Sequence, residues 1–246
     1  MCGRYTLTSP LEALRELFGI SERPNLAASY NIAPTHKVAT VRIGDDGDRH
    51  FASLAWGLVP SWAKEVATSG PLINARGETV ASKPSFRDAF YKRRCLIAAD
   101  GFYEWKAENP GGPKQPYRIT LAEEGLFAFA GIWERWENPK AAESDVSSLE
   151  TCAIVTTVAA APIAHIHHRM PVILNAADHE TWLTAAADET QALIRPYEGR
   201  LTTHPVSARV NAVRNDDAEL LVPELIGDTA EGSKDRHPGG SQLDLF

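Results

Sequence analysis

Cys95-Leu96-Ile97-Ala98-Ala99-Asp100-Gly101-Phe102-Tyr103-Glu104-Trp105 is the stretch on which the reading of the fold turns. Its first five residues are a short continuous apolar run, the signature of a buried strand. They lead into a segment where Glu104 stands among Phe102, Tyr103 and Trp105. A carboxylate at the end of a core strand is partly desolvated, which raises its pKa and suits general acid/base work. A Glu pointing to solvent from a hairpin fits the same residues.

Working outward toward the N-terminus, Ser85–Arg94 has helical spacing, with Phe86, Ala89 and Phe90 on one face and Arg87, Lys92 and Arg93 on the other. Residues 72–79 read as a strand end, a turn and a helix start, with Asn74 and Arg76 at the junction. Lys37–Ile43 and Arg49–Trp56 form a hairpin about Asp45-Asp46-Gly47-Asp48. Residues 9–18 read as a helix, with Ser9 as N-cap, Pro10 at its first position, Glu12 completing a capping box and Gly19 ending it.

On the other side, Pro116–Ala122 and Leu126–Arg135 read as the strands of a hairpin, and residues 137–149 as a surface loop. Thr151–Ala159 is a β-branched strand. Asp178–Ala186 and Glu189–Tyr197 are expected helices, Leu201–Val210 a late strand, and 216–226 a closing segment.

The bulk numbers narrow the function. The chain has 246 residues, 43% of them hydrophobic, with net charge −7 and three cysteines. No apolar run approaches the roughly 20 residues that span a bilayer. Few, odd-numbered cysteines suit a reducing compartment, and no Cys/His spacing resembles a zinc site. The acidic total argues against a nucleic-acid binder. Locally, however, residues 76–94 carry six basic and two acidic side chains, which fits a phosphate track or a solvated helix face.

Four further stretches bear chemistry. Loss of Met1 from Met1-Cys2-Gly3-Arg4-Tyr5 would give Cys2 a free α-amine beside its thiol. Their ordinary pKa values of roughly 8 and 8.5 leave both partly reactive near neutrality. An amine forms a Schiff base with an aldehyde, and the thiol can close onto the imine as a thiazolidine. Trp56-Gly57-Leu58-Val59-Pro60-Ser61-Trp62 is a stiff aromatic loop, whose Trp residues suit either the core or a nucleobase platform. His165-Ile166-His167-His168-Arg169-Met170-Pro171 offers an acid/base rather than a metal site, because adjacent His residues point apart. From Gly227 the composition turns polar, and disorder is expected over 227–241. The apolar tip Gln242-Leu243-Asp244-Leu245-Phe246 reads as a peptide ligand for a partner's groove.

Together these blocks resemble the SOS-response-associated peptidase (SRAP) family. The likeness rests on Met1–Tyr5, Tyr30-Asn31-Ile32-Ala33-Pro34, Trp56–Trp62, Asn74-Ala75-Arg76-Gly77-Glu78-Thr79 with Gly101–Trp105, and His167–Pro171. The resemblance implies a single α+β domain over residues 1–226, with a curved, barrel-like mixed or antiparallel sheet and peripheral helices. It implies autocatalytic loss of Met1 and covalent capture of abasic sites in single-stranded DNA. By the family's motifs, Cys2 is the nucleophile, Asn74 orients it, Glu104 is the acid/base, and His167 protonates the sugar ring oxygen. Arg4, Asn31, Trp62, Arg76 and Arg169 are the expected DNA contacts. The tail at 227–246 resembles a bacterial sliding-clamp-binding peptide through Gln242, Leu243, Leu245 and Phe246. The expected partners are abasic single-stranded DNA and that clamp. No cofactor, metal or membrane is expected, and the chain is expected to be a cytoplasmic monomer at the nucleoid or replication fork. An N-terminal-nucleophile amidohydrolase, a thiol protease using Cys2, His167 and Asn74, and a non-catalytic DNA-binding module are the rival readings.

Overall fold

The computed structural model describes residues 2–66, 70–107, 111–123, 125–141 and 147–224. The expected disordered tail and clamp-like peptide lie outside the described residues.

In chain order the strands are β1 (Arg4–Leu7), β2 (Ser29–Ile32), β3 (Lys37–Ile43), β4 (Arg49–Trp56), β5 (Asn74–Arg76), β6 (Arg94–Ala99), β7 (Gly101–Ala107), β8 (Lys114–Leu121), β9 (Phe127–Glu137), β10 (Ser148–Val158), β11 (Arg169–Pro171), β12 (Ile173–Leu174) and β13 (Leu201–Pro205). The α-helices are short: α1 (Leu11–Phe18), α2 (Gly77–Val80), α3 (Arg87–Lys92), α4 (His179–Thr184) and α5 (Ala187–Ala192). No helix among the described residues is long and apolar enough to cross a membrane.

Five strands close on themselves. β4 pairs with β3, β3 with β6, β6 with β9, β9 with β10, and β10 returns to β4. The last pairing is parallel and the rest are antiparallel, so this is a mixed barrel. A second, antiparallel sheet runs β13-β8-β7-β1-β2. The fold is therefore a single α+β unit with a strongly curved sheet.

Residues 95–105 join the two layers. Every residue of β6 is buried, as a continuous apolar run requires. Its outer side is covered by α4, whose Trp182 donates through Nε1 to the Cys95 carbonyl. At Asp100 the chain leaves the barrel and enters the second sheet as β7, where Arg4, Tyr5 and Thr6 pair with Tyr103, Phe102 and Gly101. Strand alternation then divides β7 between two environments. Phe102 joins the main core against Phe129, while Tyr103 packs with Val206, Val210 and Leu220.

Two local expectations are corrected. Pro116–Ala122 and Leu126–Arg135 do not form a hairpin, because β8 lies in the second sheet and β9 in the barrel. The first six residues of β9 are all buried, and a central barrel strand covers both their faces. Ser9 does not cap α1. Pro10 holds the N-cap position without a side-chain bond, and Ser9 instead donates through N and Oγ to Asp100. Gly19 ends α1 as expected, at φ 66°, a left-handed conformation that favours glycine. The hairpin strands 37–43 and 49–56 fall where the sequence places them.

Candidate active site

Cys2 sits at the foot of β1 and is fully buried. β5 adds in parallel to β10, pairing Asn74 with Ile154. This places Asn74 so that its Nδ2 donates to the Cys2 carbonyl at 2.8 Å. Its Oδ1 is buried and has no hydrogen-bond partner among the described residues.

Glu104, on β7, is 2% exposed. Burial pushes its carboxyl up to about 7, where it can both take and give a proton near neutral pH. Burial also drives the Cys2 thiol well above its ordinary value, and the Glu104 charge drives it further. The thiol donates to the Arg4 carbonyl at 3.7 Å. It is therefore protonated at neutral pH, and its attack requires a base. Cys2, Asn74 and Glu104 thus form one cluster.

His167 lies between a 3-10 turn at Ala161–Ile163 and β11. Its Nδ1 is 3.0 Å from both the amide nitrogen and the carbonyl oxygen of Arg169. Contrary to the expectation that adjacent His residues point apart, its ring stacks on that of His168, with centroids 4.4 Å apart. Burial lowers its pKa below the usual histidine value, so protonated His167 is a stronger acid than free imidazole. His168 is exposed.

The charge of Lys114 acts on both Glu104 and His167. In the sequence it stands in a Gly- and Pro-rich stretch that carries no motif. Its relation to the site comes from the β7–β8 register, which sets Lys114 opposite Ala107, three pairs from Glu104.

A cleft of about 550 Å³ adjoins this cluster, lined by Asn74, Arg76, Thr79, Ser82, Lys83 and Phe86. Asn74 therefore faces both Cys2 and the cleft. Arg76 is exposed at its edge. Trp62, 63% exposed, donates through Nε1 to the Pro84 carbonyl at 3.4 Å, which holds it beside the same rim. The two tryptophans of the aromatic loop have separate fates, since Trp56 is wholly buried and bonded to the Ile73 carbonyl.

The other three expected DNA contacts also make hydrogen bonds within the fold. Asn31 is buried and donates to the carbonyls of Val210, Ala212 and Asn215. Arg4 donates to Asn31 Oδ1 and to the carbonyls of Val210 and Asn211. Arg169 makes a two-pronged bond to Glu78 at 2.8 and 3.0 Å and donates to the Thr156 carbonyl. That bond holds the Glu78 carboxyl below its ordinary value. Asn31 and Arg169 are buried, and Arg4 is part-exposed. Motif position alone could not reveal this.

The chain is similar to several known proteins. A model of the family described as SOS response associated peptidase (SRAP) matches residues 1–213. Abasic site processing protein YoqW of Bacillus subtilis is 40% identical over 228 residues, covering 90% of this chain and 99% of that protein. Abasic site processing protein HMCES of Gallus gallus is 41% identical over 209 residues, covering 74% of this chain and 60% of that protein. A solved structure from Bacteroides thetaiotaomicron shares the fold, with TM-score 0.79 and 24% identity over 91% of this chain and all of its own. One from Bordetella bronchiseptica gives TM-score 0.70 and 28% identity over 84% of this chain and all of its own.

Proposed function

The chain belongs to the SOS response associated peptidase (SRAP) family, and from that premise we propose that it captures abasic sites in single-stranded DNA covalently through Cys2. The names of its relatives support abasic-site processing. The observation that carries the chemistry is the cluster itself. Asn74 pins Cys2, and a carboxyl with a pKa near 7 bears on the Cys2 thiol.

The steps follow from these groups. Hydrolysis of the Met1–Cys2 peptide bond, assisted by Glu104 as acid/base, frees the Cys2 α-amine. His167 donates a proton to the sugar ring oxygen, the C–O ring bond breaks, and the anomeric hydroxyl gives up its proton to water as the aldehyde C=O forms. The amine adds to the carbonyl carbon, and loss of water gives an imine. Glu104 takes the thiol proton, and Sγ adds to the imine carbon while the imine nitrogen gains a proton. The product is a thiazolidine. Holding the aldehyde beside both nucleophiles supplies a large proximity gain. Closing the imine into a ring suppresses β-elimination, so the strand stays intact.

The strand is proposed to lie along the cleft of Arg76 and Lys83, with Trp62 as a stacking platform. Arg4, Asn31 and Arg169 support the walls of that path. Peptidase action is assigned to Met1 alone. We assign the tail Gln242–Phe246 to sliding-clamp binding, which raises the local concentration at replication forks. Calorimetry with a peptide of the last ten residues and a bacterial clamp should give saturable heat, and its absence would remove that assignment.

The test is a denaturing-gel assay with an abasic oligonucleotide. The wild-type adduct should survive without reduction. Cys2→Ser, which keeps the amine but replaces the thiol, should give an adduct only when borohydride traps the imine. A Cys2→Ser adduct as durable as the wild type would exclude the thiazolidine.

A further inference from the structure

The opposite face of β7 and β8 borders a second cleft. Tyr103 pairs with Arg118, and Arg118 with His204, so these side chains share the face turned away from Glu104. There Arg118 lies in a cleft of about 520 Å³, with Thr8, Ser9, Asp100, Thr120, His204 and Leu221 in its lining. The guanidinium rests against Gly101, where an added Cβ would fall 3.0 Å from Arg118 Nε and 2.9 Å from Thr6 Oγ1. Glycine there makes the cradle.

Arg118 is 9% exposed, and its Nε is buried without an acceptor. Among the described residues its guanidinium makes no hydrogen bond and no ion pair. Buried cations are ordinarily paired, because desolvation of an unpaired charge is costly. The nearby carboxylate does not fill the role. Asp100 takes bonds from Thr6 Oγ1, from N and Oγ1 of Thr8, and from N and Oγ of Ser9. Its oxygens are committed to the end of β1. What remains is a guanidinium without a partner among the described residues, in the lining of a cleft, a group whose N–H donors match two oxygens of a carboxylate or phosphate.

We propose that this cleft binds a small oxyanion, a carboxylate or a phosphate group, on Arg118, at a site separate from Cys2. One cation beside one buried carboxylate suits a single small anion better than a polyanionic strand. Occupancy would complete the hydrogen bonding of Arg118 and stabilise the β7–β8 pair that carries Glu104 on its other face.

The test follows the Arg118 Nε–H resonance by NMR in the full chain, with inorganic phosphate and separately acetate titrated at constant ionic strength. Binding of either should move that resonance saturably, and the responding anion identifies the source chemistry. A ligand that binds only the folded state also raises Tm by about 2–4 °C at several times its Kd. That rise should vanish in Arg118→Met and persist in part in Arg118→Lys. No movement of the resonance in wild type, or an equal Tm rise in Arg118→Met, would overturn the proposal. Movement caused by undamaged single-stranded DNA but by neither small anion would also overturn it, and would make the cleft a strand contact. If Arg118→Met does not fold, the wild-type titration still decides.

Discussion

Two carboxylates, Asp100 and Glu104, stand four residues apart on one segment, both against β1 and both almost wholly buried, at 6% and 2% exposure. They serve opposite ends. Asp100 gathers five donors from Thr6, Thr8 and Ser9 and fastens the upper end of β1. Glu104 stands at the lower end beside Cys2, where burial raises its pKa to about 7. Burial alone therefore does not define a reactive carboxyl. What each carboxyl faces does: the Asp100 oxygens are taken up by the end of β1, while Glu104 bears on the Cys2 thiol.

The largest effect should come from the reactive end. Glu104→Gln should slow covalent capture by about 10²–10⁴-fold, the usual worth of a general acid/base, while Tm stays level or rises. A substantial loss of Tm would make Glu104 a structural residue and dissolve the contrast. Asp100→Ala should invert this pattern. Leaving several buried donors without an acceptor should cost about 3 kcal/mol and lower Tm by roughly 6–12 °C. The capture rate of the folded fraction, measured well below Tm, should not change.

Smaller effects belong to the cleft. Trp62→Ala should weaken binding of abasic single-stranded DNA by about 1–3 kcal/mol, with the rate at saturating DNA unchanged. Arg76→Ala should reduce the slope of log K against log salt by about 1, measured by fluorescence anisotropy. The pH profile sharpens the comparison further. Capture requires Glu104 ionised and His167 protonated, and burial raises the first to about 7 and lowers the second below its ordinary value. The rate should trace a bell whose alkaline side breaks near pH 7. In Glu104→Gln the residual rate should only fall with rising pH, since His167 alone then titrates.

Much of this molecule was legible in its sequence. The strands 37–43 and 49–56, the buried run at 95–99 and the helix ended by Gly19 follow from alternation, apolar continuity and turn chemistry, all local signals. Cys2, Asn74 and Glu104 were recognisable by residue type and motif, and the fold brings them together. What was not legible depends on pairing between distant strands. Nothing local tells that β8 and β9 part into different layers, that Ser9 turns to Asp100 rather than to its own helix, or that Arg4, Asn31 and Arg169 make hydrogen bonds within the fold. Lys114 and Arg118 are silent in the sequence for the same reason, since only the register of β8 gives each its neighbours.

The most direct test of the account is intact mass spectrometry of the purified protein before and after incubation with an abasic single-stranded oligonucleotide. We predict a chain lacking Met1, which gains the mass of the oligonucleotide less one water, and a Cys2→Ala chain that gains nothing durable. An equally stable adduct on chains that retain Met1, or on Cys2→Ala, would contradict it.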